Sequence, residues 1–288
     1  MNSEFRRIIP DEAAVERLAT GFQFTEGPVW NMKGGYLLFS DIPANRIKKW
    51  TPKDGISDYR VPSGKSNGLT FDKRGRLIAC EHANRRVSRT EEDGTIVSMA
   101  SHYEGKKLNS PNDVVVKSDG SVYFTDPPYG LNPVFGTLEE QELPFYGVYR
   151  LSPDGDHLRL LVEDSVPNGL AFSPDESLLY IADTEMSHVR VFDLKDDGAA
   201  TSGRIFAEIY GEPLAPDGMK VDSEGNVYVT GAGGIWVLNP EGKRLGIIRT
   251  PELPANLCWG DRDWKTLYIT ARTSLYRIRL NIAGISVP

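Results

Sequence analysis

The chain has 288 residues, 40% hydrophobic and 25% charged, enough apolar material for a sizeable core and unlike a disordered or collagenous polymer. Its 33 basic and 40 acidic side chains give a net charge of −7 with no basic block, which argues against a nucleic-acid or anionic-membrane surface. The two cysteines, Cys80 and Cys258, form no CxxC pair, so neither a disulfide framework nor a thiolate zinc site is indicated.

The N-terminus, Met1 to Arg7, runs into charged residues and not into an apolar leader. No later run reaches the ~18–20 apolar residues of a membrane span, so a soluble, cytoplasmic protein is expected. Residues 1–12 are expected to form a loose arm, and 13–20, a short helix or a strand by pattern, to supply at least part of a strand because the fold needs one. From Glu26, apolar segments near 28–30, 36–40, 46–50 and 56–61 are separated by turns at Lys33-Gly34-Gly35, Pro43-Ala44-Asn45 and Asp54-Gly55. A second unit gives segments near 67–72, 76–81, 86–90 and 95–100. A third gives 112–117 and 121–126, but its next strand, from Tyr146, is delayed by a Pro-rich loop beginning at Pro127. A loop of that length in a compact fold is usually functional or disordered, and it is expected over one rim of the fold. The fourth unit supplies 168–173, 178–183, 188–193 and 204–209, and the fifth supplies 217–222, 226–230, 234–238 and 244–248. The sixth has only 256–260, 266–270 and 274–280, one strand short of the others.

The units begin at Glu26, Asn67, Asn112, Asn168, Asp217 and Asn256, with spacings of 41, 45, 56, 49 and 39 residues. Those spacings bracket the ~40–50-residue period of propeller blades. The expected fold is therefore an all-β, six-bladed propeller of four-stranded blades, forming a single domain over 1–288. The segment near 14–20 pairs beside 274–280, which closes the ring and leaves no exposed sheet edge. A closed ring needs no partner to protect its edges, so a monomer is the default expectation.

Two kinds of polar-Gly pair recur. Asp54-Gly55, Asp93-Gly94, Asp119-Gly120 and Asp154-Gly155 lie between strands and read as hairpin turns. Asn67-Gly68, Asn168-Gly169 and Asp217-Gly218 instead open the first strand of a unit, the strand that lines a propeller's axis. Ring closure then gathers Glu26, Asn112, Asn168 and Asp217 at one channel mouth, with Asn67 and Asn256 as further polar heads. Carboxylate and amide oxygens without thiolate or imidazole suit one divalent cation: Ca²⁺, Mg²⁺ or Mn²⁺, with Zn²⁺ tolerated. His82 follows the second strand of its unit and is expected to face the same mouth as a substrate contact. No Gly-x-Ser-x-Gly elbow or catalytic triad is present.

The motifs Thr25-Glu26-Gly27-Pro28-Val29-Trp30, Ser110-Pro111-Asn112-Asp113-Val114, Thr125-Asp126-Pro127-Pro128-Tyr129-Gly130, Pro167-Asn168-Gly169-Leu170 and Pro216-Asp217-Gly218 carry a resemblance. In that order the chain, from about Gly21 to Arg279, resembles the SMP-30/gluconolactonase/luciferin-regenerating-enzyme family, in its bacterial lactonase form. The resemblance implies a six-bladed propeller with one divalent metal, Ca²⁺ foremost, held by Glu26, Asn168 and Asp217. It makes Asn112 a ligand or a substrate-orienting group. Animal members carry Arg where this chain has Ser110, so their sugar-lactone contacts do not transfer directly. Some bacterial members bind a second, structural calcium near the stretch that includes Asp126, which is expected on the substrate side of the site or as a ligand of that ion. The implied chemistry is metal-assisted hydrolysis of a small lactone, gluconolactone or another aldonolactone, with Asp217 as general base. The same platform would serve a phosphotriesterase or fluorophosphatase, and a non-catalytic binding propeller with a structural calcium is the rival outside catalysis.

Overall fold

A computed structural model describes residues 3–211 and 216–286. Six four-stranded antiparallel sheets stand around a common axis, a six-bladed β-propeller. The first blade runs Thr25–Asn31, Tyr36–Asp41, Arg46–Thr51 and Gly55–Arg60 from axis to rim. The next four repeat that order and open at Ser66, Val114, Pro167 and Met219. The last blade combines Asn256–Gly260, Thr266–Ala271 and Ser274–Arg279 with Glu16–Thr20 from the other end of the chain. Glu16 lies opposite Arg277 and Thr20 opposite Ser274, so the missing strand is supplied as the strand count requires.

Burial explains the apolar patterning. Inner strands such as Ser66–Phe71 and second strands such as Leu77–Glu81 are buried at every position, because each blade is covered on both faces by its neighbours. Second strands such as Leu77–Glu81, Leu-Ile-Ala-Cys before the terminal Glu, are near-continuous apolar runs for that reason. Outer strands, such as Gly55–Arg60, are largely solvent-facing. The Ser and Thr residues near the ends of second strands lock one blade to the next. Ser40 Oγ donates to the carbonyl of Asn67 at 2.7 Å, and Thr125 Oγ1 to that of Asn168 at 2.7 Å.

The two kinds of Gly pair differ physically. Turn glycines such as Gly94 (φ +85°) and Gly155 (φ +84°) need the left-handed conformation and have open space around them. Head glycines need the space itself. A Cβ on Gly68 would stand 2.6 Å from the Asn112 carbonyl oxygen, and one on Gly169 would stand 2.3 Å from that of Asp217. Their amides use the proximity: Gly68 N donates to Asn112 O at 2.7 Å and Gly169 N to Asp217 O at 3.1 Å.

One expectation is corrected. Residues 3–8 form a short helix, not a loose arm. Phe5 and Ile8 are buried in the core of the last two blades beside Tyr228, Leu257 and Trp259. Asn281 N donates to the Ile8 carbonyl at 2.9 Å, and Arg7 pairs with Glu224. Two apolar residues in the six-residue segment Ser3–Ile8 give too weak a pattern to show this packing. Among the described residues no helix is long and apolar enough to cross a membrane. Cys80 and Cys258 are buried free thiols.

Candidate active site

The heads of the inner strands converge because their ladders are interrupted. Pairing in the first blade slips by one residue between Glu26 and Val29, and the same slip occurs between Ser66 and Leu69 and between Pro167 and Leu170. A bulge of this kind re-aims side chains out of the sheet. Here it turns Glu26, Asn67 and Asn168 to the axis, where Asn112 and Asp217 join them on the wall of one cavity of about 470 Å³. That volume is in the range of small-molecule sites. Phe24, Ile42, Pro128 and Phe135 supply its apolar walls, and His82, Tyr129, Asn132 and Thr184 its remaining polar groups. The loop expected over the rim is there, contributing Pro128, Tyr129, Asn132 and Phe135. A second cavity, at the other end of the axis, is about 140 Å³ and largely apolar, lined by Val29, Leu69, Val115, Ala171 and Trp259 among others. It lacks the convergent oxygen donors of the first.

Electrostatics mark the first cavity. Burial, opposed by the Gly27 amide at 2.6 Å and reinforced by Asp113, pushes the Glu26 carboxyl up to about 7. Burial, then the charges of Glu26 and Asp113, hold Asp217 well above the usual carboxylate range, against a hydrogen bond from Asn168. Three carboxylates therefore repel one another in a confined space. Lys220 is the cation nearby, its Nζ 3.7 Å from Asp113 Oδ2 and 2.8 Å from the Met219 carbonyl oxygen.

This excess of negative charge is what a divalent cation would relieve, and the donors fit one. Asn168 Nδ2 donates to Thr184 Oγ1 at 3.0 Å, and that hydroxyl donates to the Pro216 carbonyl at 2.7 Å. The amide is thereby oriented with its Oδ1 available as a ligand. Among the described residues no three His, Cys, Asp or Glu side chains converge in metal-holding geometry. The set is a mixture of carboxylate and amide oxygens, as a hard cation prefers.

Of the residues expected from sequence, Glu26, Asn112, Asn168, Asp217 and His82 line this one cavity. Asp126 does not. It is fully buried behind the wall, where its Oδ2 accepts the Asn109 amide at 2.8 Å. Burial raises its pKa to about 7, with the amides of Asn109 and Ser110 opposing. The acid ends the strand Val122–Asp126 and packs against the Asn109–Ser110 segment, away from the lining of this cavity. Ser110 is likewise interior: its Oγ donates to the Pro127 carbonyl and accepts from Gly130 N, anchoring the loop.

Sequence reasoning missed Asp113 and Lys220. Each breaks the repeat in a legible way. Asp113 occupies the position after the head, where Gly27, Gly68, Gly169 and Gly218 stand in other blades. Lys220 interrupts an inner strand at a position filled by Thr70, Val115 and Ala171 elsewhere.

Residues 24–273 match the SMP-30/Gluconolactonase/LRE-like region. A gluconolactonase of Zymomonas mobilis is 36% identical, over 96% of this chain and 84% of its own length. A pentonolactonase of Haloferax volcanii is 28% identical, over 87% and 82% respectively. The solved structure of a gluconolactonase from Xanthomonas campestris superposes with a TM-score of 0.91 at 34% identity, covering 97% of this chain and 93% of that one.

Proposed function

Because the chain belongs to the SMP-30/Gluconolactonase/LRE-like family, we propose that it is a metal-dependent hydrolase of small lactones, aldonolactones such as gluconolactone foremost. The observation that carries this reading is the cluster of carboxylate and amide oxygens on one wall of a single cavity.

Glu26, Asn168 and Asp217 would hold one divalent cation, Ca²⁺ by preference and Zn²⁺, Mn²⁺ or Mg²⁺ as substitutes, with Asn112 as a further oxygen donor. When bound, the ion supplies Lewis-acid polarisation of the lactone carbonyl. The apolar walls of Phe24 and Phe135 seat the lactone ring. Asp217 takes a proton from water as the water oxygen adds to the carbonyl carbon. The Asn112 amide donates to the oxygen that becomes negative. The ring C–O bond then breaks, and the ring oxygen leaves with the proton that Asp217 returns. The product is the open hydroxy acid.

Asp217→Asn tests the assignment. A general base contributes roughly 10²–10⁴ in rate, so the variant is expected to lose at least about a hundredfold in kcat while its circular dichroism is unchanged. Turnover within threefold of wild type refutes Asp217 as base.

A further inference from the structure

Asn67 is a head residue with no part in the reaction above, yet it lines the reaction cavity beside His82. Both side chains are buried, Asn67 at 5% exposure and His82 at 1%. They are oriented by a chain of hydrogen bonds that begins in the rim loop. His82 Nδ1 lies 3.0 Å from the carbonyl oxygen of Phe135. A carbonyl only accepts, so Nδ1 carries the imidazole proton and Nε2 presents a lone pair. That lone pair faces Asn67 Nδ2 at 3.5 Å. An amide beside an acceptor turns its NH₂ toward it and its oxygen away.

The consequence is visible at the other end of the amide. Asn67 Oδ1 is buried and has no hydrogen-bond partner. The Asn67 backbone cannot shift to find one. Ser40 Oγ holds its carbonyl at 2.7 Å, and Gly27 packs against the same carbonyl so closely that a Cβ there would lie 1.9 Å away. Buried acceptors left unpaired are costly, and such a group discriminates sharply between a ligand that pairs it and one that does not.

We infer that Asn67 is a specificity-determining residue whose Oδ1 accepts a hydrogen bond from a ring hydroxyl of the substrate, and that His82 is a positioning residue that fixes the Asn67 amide. This rests on the aldonolactone reading and deepens it by naming the group in this chain that distinguishes a hydroxylated ring from an unsubstituted ring of the same size. His82 touches Asn67 and the loop, not the reacting carbonyl. Burial supports the neutral ring this requires, since it pushes the His82 pKa down to about 4 against the Phe135 carbonyl.

The test compares hydrolysis of glucono-δ-lactone and δ-valerolactone, which share a six-membered ring and differ in hydroxyls, by wild type, Asn67→Leu and Asn67→Ser, with Ca²⁺ present throughout. Loss of one buried hydrogen bond predicts a fall of about tenfold to a hundredfold in the selectivity ratio of kcat/KM, gluconolactone over valerolactone, in Asn67→Leu. Asn67→Ser, which keeps a hydroxyl acceptor, is expected to recover part of that ratio. ¹⁵N NMR of the wild type reads the tautomer independently of any variant: His82 is expected to be protonated at Nδ1 and bare at Nε2 at pH 7. An unchanged selectivity ratio in Asn67→Leu, or an Nε2-protonated His82, overturns the inference while leaving lactonase activity intact. A wild type inactive on both lactones overturns the underlying reading and the inference together.

Discussion

Replacing Glu26 with Gln should make the metal-free protein more stable, although it removes a residue of the site. The carboxyl is buried near Asp113 and Asp217, and its pKa stands at about 7 against 4.5 for the free side chain. A carboxyl whose pKa rises on folding is favoured in its protonated form. Its contribution is therefore intact below pH 4.5 and is lost as pH climbs through that window to about 7. At ~1.4 kcal/mol per pKa unit the loss is about 3 kcal/mol at pH 8, which for a chain of this size is roughly 6 °C in Tm. Glutamine keeps the shape and carries no charge, so it escapes that loss. The assay is thermal unfolding of chelator-treated wild type and Glu26→Gln at pH 4 and pH 8. The expected result is coincident midpoints at pH 4 and a higher midpoint for the variant at pH 8. With saturating Ca²⁺ at pH 8 the order should reverse, because wild type alone keeps the full proposed ligand set. A variant less stable than wild type at pH 8 without metal would refute the claim that the channel mouth carries uncompensated charge.

The head and turn glycines should separate cleanly. Gly169→Ala drives a Cβ to 2.3 Å from the Asp217 carbonyl and 2.8 Å from Gly218 Cα, both backbone atoms, and is expected to cost about 3 kcal/mol and to weaken Ca²⁺ binding measured by calorimetry. Gly94→Ala meets no atom within 4 Å and bears only the strain of φ +85°, about 1 kcal/mol, with Ca²⁺ binding unaltered; equal effects on binding would contradict the two-class reading. Asp126→Asn should gain on wild type in chelator-treated unfolding as pH rises from 4 to 8, since the carboxyl pKa is raised from 3.8 to about 7 and its contribution is lost across that interval. A pH-independent difference between the two would show that Asp126 ionises freely in the fold.

The architecture was legible because it repeats. Six unit heads at near-constant spacing fixed the blade count, and a last unit one strand short demanded a donor from the N-terminus, which is what Glu16–Thr20 provides. The site followed from the same repeat, since residues at equivalent positions of a closed ring must share one mouth. What remained hidden did so for physical reasons. The helix Ser3–Ile8 is stabilised by tertiary burial of Phe5 and Ile8 and not by any strong local pattern. Asp126 carries a polar side chain at the end of a strand, and only its packing against Asn109 and Ser110 reveals it as interior. The orientation of Asn67 depends on Phe135, 68 residues away in sequence, which no spacing rule connects to it. Asp113 and Lys220 were readable as exceptions to the repeat, and attention to the repeat alone passed over them.

Metal-dependent lactone hydrolysis is tested most directly by proton release from glucono-δ-lactone by chelator-stripped protein, before and after adding back Ca²⁺, Mn²⁺, Mg²⁺ or Zn²⁺, with a phosphotriester run in parallel. Little hydrolysis is expected without metal, with restoration by Ca²⁺ and no restoration in Asp217→Asn. Folded, metal-loaded protein that leaves every lactone intact, or that turns over only the phosphotriester, would contradict that expectation.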